Sequence, residues 1–133
     1  MSDRKWKPVE LGAAVTAPAG AYSPVVRAGD FLFVSGQVPT DATTGKVIGA
    51  TVSEQTSYVI VKLGRTLEAA GSSLRDVVSI AAHLSDIADW DEFNQAYKAG
   101  FEAPYPTRTT VGAGLHGVLV ELTAVAYAPS RSP

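Results

Sequence analysis

The chain has 133 residues, 46% of them hydrophobic, which is the length of one domain with enough apolar material for a core. It contains no cysteine and two histidines far apart in sequence, which excludes disulfides, thiolate zinc sites and cysteine nucleophiles and argues against a histidine metal cluster. The net charge of −2 with scattered Lys and Arg speaks against nucleic acid, and the absence of any long apolar run or apolar leader predicts a cytoplasmic protein with no membrane contact.

The first third reads as β-rich. Tyr22 stands before the first clear strand signal, Phe31-Leu32-Phe33-Val34-Ser35, which is bounded by Gly29-Asp30 and by Gly36 and Pro39. Ser35 marks its end. Thr40 to Gly45 predicts a turn into a short strand near Val47-Ile48. The period then changes: Val52, Val59, Ile60, Leu63, Leu67 and Ala70 share a helical face, Thr51 and Glu54 form a capping box, and Gly71 suits a left-handed stop. A helix is expected over 52–70.

The stretch from Val77 to Leu84 is apolar on both alternating faces, as a central strand buried on two sides would be. Its His83 reads as a satisfied core or interface histidine. A second helix follows Asp86 or Asp89, with Trp90, Phe93, Tyr97 and Phe101 on one side, until Pro104 stops it. Asn94 sits beside that apolar side, where an amide suits a structural hydrogen bond more than a site. Two strands, from Arg108 to about Val111 and from Val118 to Tyr127, complete an α+β fold: a mixed β-sheet with two helices packed on one face.

In the last strand the even positions, Val118 to Ala126, suit packing under the helices. The odd face, Leu119, Glu121, Thr123, Val125 and Tyr127, is too apolar to be simply wet, and the mean hydropathy of the chain is slightly positive. A partner subunit is the expected cover. Glu121 is the exception on that face. A partly desolvated carboxylate there suits proton transfer, and equally a cross-sheet ion pair or a place near an exposed edge. Arg108, among Thr107, Thr109 and Thr110, could grip a carboxylate bidentately, although exposure is the commoner state of an arginine. His116, in the loop Gly112 to Gly117, reads as solvated, and that loop lacks the GxxxxGK pattern of a phosphate site.

Taken in order, Gly20-Ala21-Tyr22-Ser23, Phe33-Val34-Ser35-Gly36-Gln37-Val38-Pro39, Leu67-Glu68-Ala69-Ala70-Gly71, Phe93-Asn94 with Tyr97, Pro106-Thr107-Arg108-Thr109-Thr110-Val111 and Val120-Glu121-Leu122 resemble the RidA (YjgF) family over nearly the whole chain. The resemblance implies a chorismate-mutase-like fold assembling as a homotrimer around a central barrel, with sites in the clefts between subunits. It also implies hydrolysis of reactive 2-imino acids, or their enamine tautomers, to 2-keto acids and ammonia without metal or organic cofactor. On the matching positions, Arg108 would bind the substrate carboxylate and Glu121 would activate water. Tyr22, Ser35 and Asn94 would shape the cleft, and the Thr110 backbone would contact the ligand. Ala21, Pro24, Thr110 and Leu115-His116 depart from common family residues, and the spacing from Arg108 to Glu121 is slightly short. Arg108 and Glu121 stay in place while the loop between them changes. The alternatives are a non-catalytic regulatory trimer that binds a small carboxylate, or a ribonuclease or translation inhibitor.

Overall fold

The computed structural model describes residues 3–15 and 17–129. Along the chain run β1 (Lys7–Pro8), β2 (Val25–Ala28), β3 (Phe31–Gln37), α1 (Val52–Ala69), β4 (Val77–Leu84), α2 (Trp90–Gly100), β5 (Thr107–Gly112) and β6 (Val120–Tyr127). The strands form one mixed sheet in the order β1-β2-β3-β6-β4-β5, in which β5 runs parallel to β4 and every other pair is antiparallel.

The helix borders follow from local chemistry. The Thr51 hydroxyl accepts the Glu54 N–H at 3.1 Å, and the Glu54 carboxylate accepts the Thr51 N–H at 3.2 Å, closing the predicted capping box. Gly71, at φ +84°, supplies the left-handed stop. The buried Gln55 then ties the start of α1 to the sheet: its amide donates to the Gly49 carbonyl at 3.0 Å and accepts the Leu119 N–H at 2.8 Å. The two helices touch closely where Gly100 meets Ile60, since a Cβ on Gly100 would lie 2.7 Å from the Ile60 Cδ1.

Both helices cover one face of the sheet, as the sequence pattern predicts. Val59, Ile60, Leu63 and Leu67 of α1 and Phe93 and Tyr97 of α2 pack on Leu32, Val34, Ile80, Leu84, Val120 and Leu122. Burying each large apolar side chain contributes roughly 1.5–3 kcal/mol. The other face is bare: Phe31, Phe33, Val78 and Tyr127 are exposed on it, with Phe31 and Tyr127 in edge contact at 5.5 Å.

Four expectations change. Val47-Ile48 forms no strand, only an isolated bridge from Val47 to Thr40: the turn is closed by the Asp41 carboxylate on the Thr43 and Thr44 N–H groups, and the pairing stops at two backbone bonds, Ile48 N–H to the Pro39 carbonyl and Asp41 N–H to the Lys46 carbonyl, each 2.8 Å. β4 is not central but one strand from the edge, and only its Val77, Ile80, Ala82 and Leu84 are buried. Ser35 lies inside β3, which runs on to Gln37, and β6 begins at Val120, with Val118 buried ahead of it. β2 folds back on β3 in a tight hairpin across Gly29-Asp30, with Ala28 opposite Phe31, and the two-residue β1 pairs with β2 at the edge; strands this short leave no periodic mark in the sequence. Among the described residues, no helix is long and apolar enough to cross a membrane.

Candidate functional site

Arg108 enters through register. Pro106 and the threonines favour extended backbone, and parallel pairing sets Arg108 beside Ile80, a core residue, so both point to the helix-covered face. Because β5 is the last strand, Arg108 emerges at the rim of that face, against α2. Its guanidinium carbon lies 5.3 Å from the Trp90 ring centre, 5.3 Å from that of Phe93 and 4.7 Å from that of Tyr97. Such contacts hold the fork in place without neutralising it. No carboxylate of a described residue forms an ion pair with it.

Arg108 lines a cavity of about 370 Å³ with Asn94, Tyr97, Lys98, Tyr105 and Pro106. Asn94 is half-buried here, and its side chain makes no hydrogen bond to a described residue, so the expected structural duty is not what places it. The Tyr97 hydroxyl is buried and without a hydrogen-bond partner among the described residues. Burial pushes its pKa up to about 12, partly opposed by the Arg108 charge, so it remains a neutral donor across the physiological range. Thr110 follows Arg108 on the same face of the edge strand, two residues along.

Glu121 is elsewhere. It alternates with the buried Val120 and Leu122 and therefore faces the bare side of the sheet, paired across the strands with His83. Its carboxylate leans over Gly36, where a Cβ would come within 2.8 Å of both Cδ and Oε2. The missing side chain makes room for the acid. Ser35 adjoins it, its hydroxyl donating to the Ser23 carbonyl at 2.6 Å while its N–H donates to the Pro24 carbonyl at 2.9 Å. These bonds fix the segment that presents Tyr22, a residue 54% exposed. His83 is not satisfied: its Nδ1 is buried with no partner among the described residues.

One chain thus brings the expected residues into two groups: Arg108, Asn94 and Thr110 beside α2, and Tyr22, Ser35 and Glu121 around Gly36, with Glu121 on the sheet face opposite Arg108. The arginine and the acid do not meet within it. A second cavity, of about 480 Å³, opens beside Tyr22, Ser35 and Gly36 and reaches Lys62 and Arg65 of α1. The Lys62 ammonium donates to the Val38 carbonyl and the Thr40 hydroxyl, each at 3.0 Å. Desolvation lowers its pKa from the usual lysine value, and Asp41 opposes that shift. Tyr97 was visible in the aromatic stripe of α2, but nothing local in the sequence marked Lys98, Tyr105 or Lys62 as cavity residues. Among the described residues, no three His, Asp or Glu side chains are grouped to hold a metal ion.

The family model described as Endoribonuclease L-PSP matches residues 13–128. A RutC family protein of Saccharolobus solfataricus is 43% identical over 111 residues, covering 82% of this chain and 88% of its own length. The 2-iminobutanoate/2-iminopropanoate deaminase of Rattus norvegicus is 35% identical over 114 residues, covering 83% of each. The crystal structure of RidA from the Antarctic bacterium Psychrobacter sp. PAMC 21119 superposes with a TM-score of 0.79 at 30% identity, covering 86% of this chain and 94% of that one.

Proposed function

This chain belongs to the Endoribonuclease L-PSP family, the RidA (YjgF) family, and from that we propose that it is a hydrolytic deaminase of reactive 2-imino acids or their enamine tautomers. The observation that carries the reading is Arg108, a half-buried guanidinium held over three aromatic rings beside a cavity, with no acid among the described residues to neutralise it. A group so placed takes an anion from outside, and a planar fork takes a carboxylate bidentately.

In the proposed reaction, Arg108 of one protomer holds the carboxylate, with Asn94 and the Thr110 backbone at its side. Glu121 of a second protomer, flanked by Tyr22 and Ser35, takes a proton from water as its oxygen bonds to the imine carbon. The proton passes to nitrogen to complete the carbinolamine; its hydroxyl proton then follows to nitrogen as the C=O bond forms and the C–N bond breaks, and 2-keto acid and ammonia leave. An imine is already electrophilic, so fixed orientation plus one acid–base group, worth about 10²–10⁴ in rate, is a sufficient device without a cofactor. The opposite placement of Arg108 and Glu121 and the bare apolar sheet face both support a shared site in a homotrimer. The proposed setting is the cytoplasm, although relatives are named mitochondrial in Schizosaccharomyces pombe and chloroplastic in Arabidopsis thaliana.

An amino-acid oxidase supplying 2-iminobutanoate tests the reading. The protein is expected to speed keto-acid release, and Arg108→Ala to remove the acceleration. Equal release with and without the protein, across several amino acids, rejects catalysis. Binding of a 2-keto acid without turnover would then leave the non-catalytic carboxylate-binding trimer.

A further inference from the structure

We infer that Lys98 is a specificity residue of the Arg108 cavity and that the preferred ligand carries a second carboxylate; this rests on the reading of Arg108 as a carboxylate clamp. Asn94 and Lys98 are four residues apart on α2, one helical turn, and line the same cavity as Arg108. The lining residues are Asn94, Tyr97, Lys98, Tyr105, Pro106 and Arg108, which include two cations and no acid. Neither cation forms an ion pair with a described residue.

The two cations differ in kind. Arg108 is half-buried and pinned by aromatic rings, which fixes where the first carboxylate sits. Lys98 is exposed, on a flexible stem at the outer end of the same cavity, and can follow groups of different reach. A monocarboxylate satisfies the arginine and leaves the lysine to solvent. A dicarboxylate engages both, with the neutral Asn94 amide and the Tyr105 hydroxyl as further donors on the lining. The substrate class that follows is the 2-imino acid with an acidic side chain, or its keto-acid product. The contact at Lys98 is solvent-facing, so the preference weakens as salt rises.

Calorimetric titration of the whole protein with 2-oxobutanoate and with 2-oxoglutarate tests this. The dicarboxylate is expected to bind at least tenfold more tightly at low salt. In Lys98→Gln its affinity falls about tenfold while that of the monocarboxylate falls less than twofold, and Lys98→Arg retains the preference. Arg108→Ala loses both ligands. Equal affinities in the unaltered protein, or a preference that survives Lys98→Gln, overturn the role of Lys98 while binding lost in Arg108→Ala leaves the clamp standing. Failure of the unaltered protein to bind either acid overturns the clamp as well.

Discussion

Glu121 reaches its position over the backbone of Gly36 only because that residue has no side chain, so the glycine is part of the acid's surroundings. Gly36→Ala is expected to displace the Glu121 carboxylate and lower imine hydrolysis at least tenfold, with 2-keto acid affinity at Arg108 changed much less. Steady-state rates beside a binding titration check this; an unchanged rate would detach Glu121 from the chemistry. At this scale the sequence was partly legible. Alternation in β6 assigned Glu121 to the uncovered face correctly. Arg108 could not be assigned a face, because its direction depends on the parallel register with Ile80, a partner 28 positions away. His83 fared worse, since an apolar strand suggests a satisfied ring, and only the folded sheet reveals its lone Nδ1.

Helix α1 was legible almost to the residue, because a cap is written in four consecutive positions. Thr51→Ala is expected to cost about 1 kcal/mol, measurable by denaturant unfolding. The Ala50 and Thr51 N–H groups on its carboxylate hold the Glu54 pKa below its ordinary 4.5. A carboxyl depressed in the folded state contributes stability above the unfolded pKa and loses it as pH falls through the lower folded one. Glu54→Gln should therefore flatten the fall in stability below about pH 4.5, seen in unfolding midpoints across that range. Strands proved harder. β4 looks central because both its faces are apolar, yet apolarity shows that a face will be covered and not by what. β2 is four residues folded back on β3 across Gly29-Asp30, too short to show a period, and β1 pairs with the distant Val26 and Arg27, which no local pattern encodes.

Over the whole molecule, the two sheet faces divide the work. One packs under helices; the other carries Phe31, Phe33, Val125 and Tyr127 with no helix over it among the described residues. Phe33→Asp places a charge in the middle of that face and is expected to shift the protein to monomer in sedimentation equilibrium and abolish hydrolysis, while far-UV circular dichroism is retained. A monomeric variant with full activity would remove the shared site. The fold class was readable from element order, and the face left bare by the helices from the second apolar stripe.

The separation of Arg108 from Glu121 has a genetic consequence. When every site draws its arginine and its acid from different chains, damage to the two residues is not equivalent to damage within one unit. For the proposed shared site, two alleles, one lacking Arg108 and the other Glu121, are each expected to be inactive alone. Expressed together, they are expected to assemble some clefts in which both intact residues meet, so that imine hydrolysis returns in the mixed assembly.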